Sequence, residues 1–352
     1  MKLRNNFDFL RFFAASIVIV GHSFPMLGLA QPVFLGTPIA TFGVVIFFSI
    51  SGYLISGSWL REPSFAPFLA KRALRIFPAL ILVVVLSSFV FGPIFSTLSI
   101  SDYFSDGYTY NYLRNIGLYI IYRLPGVFTN APIPYAMNGS LWSLPAEFAM
   151  YLLTPLILLL PMRKTGMTVA AIVMALVSVY LSYYYAGDRP VVYATEVRAA
   201  CAMGCYFAGG ALLRLVKDKM RITLLRASGL FAIYVILAIF CDGHLRYLSA
   251  TVAAFIVPYI VIAVAEARTI RLPDAAKYGD LSYGMYLYAF PIQQALVQYS
   301  GARIGVYGEM AAAFALTIPF AVLSWHLLEK RAMALKPKTR NAFEPAGQAV
   351  TQ

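Results

Sequence analysis

The first apolar segment of the chain carries two ionisable side chains, Arg11 and His22, at a spacing that suits chemistry. Eleven helical steps of about 100° bring both to one face, roughly 16 Å apart along the axis. Asp8 precedes Arg11 by three residues, so these two can pair. Because an imidazole can take a proton from a hydroxyl near neutral pH, His22 is a candidate catalytic base. The alternative is a buried histidine that only makes a structural hydrogen bond.

Two further places combine charge with apolar surroundings. Arg72 and Arg75 are three residues apart, so they face the same way, and their guanidinium groups suit phosphate. The alternative is that they only mark an inner helix end. Glu147 lies inside an apolar run, where a charge costs at least about 2.5–3.5 kcal/mol and suggests a function. It could act as an acid or base, orient His22, or accept hydrogen bonds from an Arg or Tyr.

Membrane-spanning helices are the elements that must position these residues. The chain is 60% hydrophobic and only 12% charged, against about 25% charged in an average soluble domain. A spanning helix needs about 20 apolar residues. The sequence therefore predicts an all-α polytopic membrane protein of about ten transmembrane helices, near 7–29, 34–57, 74–96, 141–161, 168–186, 196–214, 224–241, 246–266, 281–299 and 309–329.

The distribution of Lys and Arg predicts that both termini are cytoplasmic, since inner loops are enriched in these residues. With the N-terminus inside, 22 of the 28 basic residues lie in inner segments, and the outer segments keep the other six, Arg114, Arg123, Arg189, Arg198, Arg246 and Arg303. We expect one transmembrane domain over residues 1–335. Residues 336–352 are expected to form a basic and polar cytoplasmic tail that is disordered.

Nucleic acids and metals are not expected partners. The net charge of +13 is spread in short blocks between apolar runs, which fits membrane topology rather than a nucleic-acid surface. The cysteines, Cys201, Cys205 and Cys241, show no metal-binding spacing, so no metal site is expected. His244 is expected to be solvated in an outer loop, and His326 to anchor the inner end of the last span.

Taken together, these segments resemble the acyltransferase-3 family of membrane-bound O-acyltransferases. The resemblance covers nearly the whole chain. It rests on Arg11 and His22 at the spacing R-x10-H, GVVIFFSISGYLI at 43–55, the RxxR pair Arg72 and Arg75, SLWSLPAEFAMY at 140–151, YGDLSYGMYLYAFPIQ at 278–293 and LLEKR at 327–331.

The chain departs from the family pattern at three positions. Phe148 stands where a second acid often follows the Glu, Ala289 where a His often precedes Phe-Pro, and Ala332 where the closing motif often has Pro. These departures put a second acidic role and a late histidine role in doubt. The chain shows no appended hydrolase-like segment, so we expect it to pass its acyl group directly to the acceptor or to a separate protein.

The resemblance implies a cytoplasmic acyl-CoA donor, commonly acetyl-CoA, and a hydroxyl acceptor on a surface glycan or its lipid-linked precursor. It also implies the cytoplasmic membrane of a bacterium. No permanently bound cofactor is expected. Arg72 and Arg75 would hold the phosphates of CoA. The connection 97–140, rich in Tyr and Asn, is the candidate acceptor site.

The catalytic roles follow from the same resemblance. His22 would act as general base on the sugar hydroxyl or accept the acyl group as a nucleophile. Arg11 would orient the donor or balance Asp8, and Glu147 would fix the imidazole tautomer. The competing interpretations are a proton-coupled or polysaccharide-precursor transporter, which would favour internal repeats that this sequence lacks, and a membrane scaffold or flippase in which the charged residues only pack.

Overall fold

The computed structural model describes residues 6–183, 185, 187–240 and 245–337, and these are nearly all helical. Two short antiparallel hairpins pair Val33–Phe34 with Thr37–Pro38 and Val191–Val192 with Thr195–Glu196. The helices are α1 Phe7–Met26, α2 Ile39–Arg61, α3 Phe65–Leu86, α4 Gly92–Phe95, α5 Ile100–Ser105, α6 Gly107–Asn111, α7 Ser143–Leu158, α8 Arg163–Tyr183, α9 Val197–Val216, α10 Leu224–Phe240, α11 Leu245–Glu266, α12 Ser282–Ser300, α13 Gly305–Ser324 and α14 Lys330–Ala334.

A helix occupies each of the ten segments that the sequence predicts to be apolar spans. Among the described residues, seven helical stretches are long and apolar enough to cross a membrane, and two more apolar helices, Leu224–Phe240 and Thr251–Glu266, are shorter. The seven are Phe7–Met26, Ile39–Arg61, Phe65–Phe95, Gly139–Leu158, Arg163–Tyr183, Val197–Val216 and Gly305–Ala334. The chain is therefore a helical, polytopic membrane protein.

Small residues let the central helices approach closely, as they commonly do in membranes. A Cβ atom at Gly52 of α2 would lie 1.9 Å from the backbone oxygen of Phe207 in α9, and one at Gly210 would lie 2.1 Å from that of Ser49. Gly43 meets the backbone of Ala14 in α1 in the same way, at 2.6 Å. The small residues of segment 43–55 therefore serve close packing of α2 against α1 and α9.

Helix α1 packs between α2 and α12, and it runs parallel to α12. Near the start of both helices, Arg11 approaches Asp280, the residue two before α12. About three turns further along both, His22 lies against Phe290 of α12, with ring centroids 5.4 Å apart. Asn6, the residue before α1, donates hydrogen bonds from its side chain to backbone carbonyls at the end of α11. These contacts fix the height of α1 relative to its neighbours.

The long connection between α3 and α7 is packed rather than open. Two of its own side chains, Tyr103 and Tyr112, are fully buried. The amide of Asn115 bonds the backbone of Tyr112 and Ile121, which closes one turn of the connection. Gln294 of α12 donates to the backbone oxygens of residues 133 and 136 and ties the connection to the His22 end of the bundle.

Candidate active site

Three arginines and a glutamate from three helices line one cavity of about 100 Å³ at the Arg11 end of α1. Arg11 comes from α1, Arg72 and Arg75 from α3, and Glu147 from α7. The expectation that Arg72 and Arg75 face the same way is confirmed. The volume holds several water molecules, since one needs roughly 10–15 Å³. The sequence therefore brings four of its five candidate residues together here.

Arg75 is held in a network of opposite charges. Its guanidinium lies 2.6 Å from the carboxylate of Asp280 and 3.5 Å from that of Glu329, which itself is buried. The rings of Tyr283 and Trp325 flank it at 5.5 and 6.0 Å. A guanidinium with two carboxylate partners and two aromatic neighbours is fixed in place. The positive charge of Arg75 is therefore already neutralised by Asp280 and Glu329 and is not available to bind an anionic ligand.

Asp280 joins α1 to α3, because it is shared by Arg75 and by Arg11, which lies 3.6 Å away. Burial alone would raise the pKa of Asp280, but Arg75 and then Arg11 lower it, so the carboxylate stays ionised. The predicted pairing of Arg11 with Asp8 is also present, at 3.9 Å. Asp280 was not among the residues predicted from the sequence, although it lies in the segment 278–293 that supports the family resemblance.

Arg72 differs from Arg75 in having no carboxylate within salt-bridge distance among the described residues. Its Nε atom is buried without a hydrogen-bond partner, and the ring of Phe68 lies 5.8 Å from the guanidinium carbon. Lys336, two residues after α14, is close enough to Arg72 and Arg75 for their charges to act on it. Burial first, and then the nearby charges of Arg72 and Arg75, lower the pKa of Lys336 to about 8. An anion at Arg72 would relieve this crowding of positive charge.

Glu147 accepts hydrogen bonds from the hydroxyl groups of Ser51 and Tyr151. Ser51 approaches from α2, and Tyr151 lies one turn further along α7. Of the roles left open by the sequence, the structure shows the tyrosine acceptor. The hydrogen bond that would let Glu147 fix the tautomer of His22 is not formed here, because His22 Nδ1 has no partner among the described residues.

His22 lies at the far end of α1, outside the group of residues that line the Arg11 cavity. Its Nδ1 atom is buried and unpartnered, and its ring meets the edge of Phe290. One turn before Phe290, Tyr286 lines the cavity and bonds Ser143 and the backbone of Ser140. Arg11 and His22 thus both face α12, which confirms that they share one face of α1.

A buried polar cluster lies beside His22 and was missed by sequence analysis. Gln293 of α12 donates to the backbone oxygen of Ile19 at 3.0 Å and to the hydroxyl of Ser23 at 3.1 Å. Glu309 of α13 lies 3.5 Å from the same amide. Ser23, Gln293 and Glu309 are all fully buried. A glutamate within an apolar span was the available signal, since such a residue is costly to bury.

The remaining candidate residues lie elsewhere. His326 is exposed, and a ring nitrogen lies 3.1 Å from the backbone oxygen of Tyr278. Cys201 and Cys205 are free thiols of α9. His244 and Cys241 lie outside the described residues, as does most of the predicted tail. Within the part of the chain that the structure describes, no three His, Cys, Asp or Glu residues form a group that could hold a metal ion.

Comparison with known proteins gives matches along almost the full length. An O-acetyl transferase of Shigella phage Sf6 is 32% identical over 336 residues, which cover 94% of this chain and 96% of that protein. Nodulation protein 10 of Rhizobium leguminosarum bv. viciae is 31% identical, over 95% and 94% of the two chains. A peptidoglycan O-acetyltransferase of Listeria monocytogenes is 27% identical over 71% of this chain and 44% of its own length.

No solved structure gives a significant match to the chain. The model of a protein family described as an acyltransferase domain matches residues 4–328. That match covers every helix from α1 to α13 and all five candidate residues. The chain therefore belongs to the acyltransferase-3 family and is an O-acetyltransferase.

Proposed function

We propose that this enzyme transfers an acetyl group from cytoplasmic acetyl-CoA to a hydroxyl of a surface or lipid-linked polysaccharide, in the cytoplasmic membrane of a bacterium. The observation that carries the proposal is the arrangement along α1. Arg72, whose Nε donor is unpartnered, lines the cavity at one end, and a histidine with an unpartnered ring nitrogen lies at the other. A relative that acetylates peptidoglycan supports a polymeric sugar as acceptor.

The proposed topology has ten spans, with both termini in the cytoplasm. In such a chain, alternate spans run in the same direction. The parallel packing of α1 on α12, the first and ninth spans, agrees with this. The Arg11 cavity then opens towards the cytoplasm.

At the inner end, Arg72 is proposed to bind a phosphate of the CoA moiety. Arg75 is proposed to support the site, because Asp280 and Glu329 already neutralise it. Lys336 adds positive charge near Arg72 when it is protonated. The pantetheine arm would then carry the thioester past Tyr286 to His22. The guanidinium of Arg11, which lines the same cavity as Arg72, is proposed to orient the donor.

At His22, the acceptor hydroxyl loses its proton to the imidazole as its oxygen attacks the thioester carbonyl carbon. A carbon–oxygen ester bond forms, the carbon–sulfur bond breaks, and CoA leaves as a thiolate that takes the proton back from the imidazolium. In the two-step alternative, the imidazole nitrogen attacks the thioester carbon and CoA leaves as a thiolate; the hydroxyl oxygen then attacks the acetyl-imidazole, the carbon–nitrogen bond breaks, and the hydroxyl proton passes to the thiolate. In both routes the unpartnered ring nitrogen is the atom that reacts.

Glu147 is proposed to act in the donor cavity rather than on the imidazole. Its carboxylate is held by Ser51 and Tyr151 and faces the cavity that contains Arg72. There its single negative charge offsets part of the positive charge of the arginines that line the cavity. This role requires a carboxylate in a fixed position, and the hydroxyl groups of Ser51 and Tyr151 hold Glu147 in place.

The experiment compares wild type and His22→Ala as purified full-length proteins, with radiolabelled acetyl-CoA as donor. The acceptor is surface polysaccharide of the source strain from which mild alkali has removed ester-linked acetyl groups. We expect label transfer by wild type and at least a hundredfold loss in the variant. The matched control is His326→Ala, an exposed histidine near the other end of the bundle. Transfer at the wild-type rate by a folded His22→Ala protein would refute the assignment.

A further inference from the structure

A second cavity, of about 430 Å³, lies at the His22 end of α1. It lies between Leu27, the residue after α1, the connection between α3 and α7, and the end of α12. Its volume falls in the range of about 300–1,000 Å³ that is usual for small-molecule sites. The donor cavity lies at the opposite end of α1, so this second cavity is separate from it.

The walls of this cavity combine aromatic and amide groups. Phe95 and Phe128 stack with ring centroids 5.3 Å apart and form its apolar side. Asn130 and Gln298 are exposed at its rim. An amide carries two N–H donors and one oxygen acceptor, so the weak bond from Gln298 to the backbone oxygen of Phe95 leaves further capacity for a ligand.

The chemistry of the walls selects a neutral, polyhydroxylated ligand. None of the described residues that line the cavity is charged, so it offers a phosphate or an ammonium group no counter-charge. A pyranose has an apolar C–H face, which packs on an aromatic ring, and hydroxyl groups around its edge, which both donate and accept. An aromatic side with an amide rim matches these two features.

The cavity is also adjacent to the proposed reacting group. Leu27 follows His22 by five residues, about 8 Å along the helix axis. Met26, Phe290 and Val297 form one buried apolar cluster. Within this cluster, the ring of Phe290 contacts the ring of His22, and Val297 lines the cavity. A sugar in the cavity is therefore separated from the imidazole by one layer of side chains.

We propose that this cavity binds one neutral pyranose unit of the acceptor polysaccharide and so holds the polysaccharide at the His22 end of α1. Phe95 packs on the apolar face of the sugar, and the amides of Asn130 and Gln298 bond its hydroxyl groups. This inference rests on the proposed function, because it assumes a polysaccharide acceptor.

The test uses the purified full-length protein, radiolabelled acetyl-CoA and the alkali-treated polysaccharide described above. Asn130→Ala and Gln298→Ala each remove neutral hydrogen bonds. We expect the KM for the polysaccharide to rise about two- to twelve-fold in each, and roughly multiplicatively in the double variant. The KM for acetyl-CoA and the slow hydrolysis of acetyl-CoA without acceptor should stay at wild-type values. The matched control is Asn111→Ala, an exposed amide of the same connection outside the cavity.

A third variant fills the cavity. Ala131 lines it and is only partly buried, so Ala131→Trp should abolish transfer to polysaccharide while hydrolysis of acetyl-CoA persists. An unchanged KM for polysaccharide in the double amide variant, or full transfer by a folded Ala131→Trp protein, overturns this inference and leaves the proposed function standing. Absence of any transfer from acetyl-CoA by wild type overturns both.

Discussion

Arg72 and Arg75 provide a sharp test, because two arginines one helical turn apart have different environments. Arg75 has two carboxylate partners, whereas Arg72 lines the donor cavity and has an unpartnered Nε donor. Replacing Arg72 by alanine should therefore weaken binding of acetyl-CoA. Replacing Arg75 should instead destabilise the protein, because it leaves Asp280 and Glu329 without their shared counter-charge.

The size of the first effect follows from the type of bond. A hydrogen bond to a charged group contributes about 1.5–3 kcal/mol, and each 1.36 kcal/mol changes an equilibrium tenfold. If Arg72 holds a phosphate of CoA, Arg72→Ala raises the KM for acetyl-CoA by about 10- to 150-fold. The kcat at saturating donor stays within a few-fold of wild type, because the reacting atoms lie about three helical turns away.

The size of the second effect comes from burial. Removing one partner of a buried ion pair costs about 3–5 kcal/mol. The Arg75 side chain is 20% exposed, so we expect Arg75→Ala to cost about 3 kcal/mol of unfolding free energy, near the lower limit. The assay is detergent-solubilised protein followed by thermal unfolding and by initial rates at varied acetyl-CoA. An unchanged KM for acetyl-CoA in folded Arg72→Ala would refute the reasoning.

Three further predictions concern the surroundings of the site. Asp280→Asn should lower the unfolding free energy by about 3 kcal/mol, because two guanidinium groups lose their shared carboxylate; the exposed Asp188→Asn is the control, and equal stability of the two would contradict the argument. Gln293→Leu should lower kcat but leave the KM for acetyl-CoA unchanged, because the substitution removes the hydrogen bonds that hold the turn carrying Ser23 and the adjacent histidine. Recovery of kcat in Gln293→Asn would support this positioning role. Normal kcat in Gln293→Leu would exclude it. The KM for acetyl-CoA should rise as pH increases through about 8, where Lys336 loses its charge; Lys336→Gln should remove that dependence, and a rise of equal size in the variant would refute it.

The helices were predictable because one property marks them. A helix that crosses a membrane needs about 20 apolar residues, and a run of that length can be recognised in the sequence alone. Their ends were less predictable. The third span was expected from residue 74, but α3 begins at Phe65. The turns that carry Lys71, Arg72 and Arg75 are polar and still helical, so hydropathy located the lipid contact and not the start of the helix.

The site was predictable where it depends on one helix. The shared face of Arg11 and His22 and the shared face of Arg72 and Arg75 both follow from helical periodicity. The ion pairs between helices were not predictable. Asp280 lies 269 residues after Arg11 and 205 residues after Arg75 in the chain, and no local spacing indicates that the three meet. For the same reason, the sequence does not indicate that Arg75 has carboxylate partners and Arg72 has none within the described residues.

Helix α12 connects these separate observations, because it touches each part of the proposed reaction path. Asp280, just before it, pairs with the arginines of the donor cavity, Phe290 supports the ring of His22, and Val297 lines the cavity proposed for the sugar. A slide of α12 by one turn, 5.4 Å, would take Asp280 out of reach of both guanidinium groups and move Phe290 away from the imidazole. The ion pairs at one end of α12 therefore fix the position of the histidine contact three turns above. For this reason we expect loss of Asp280 to lower kcat as well as stability, although Asp280 lies far from the acceptor.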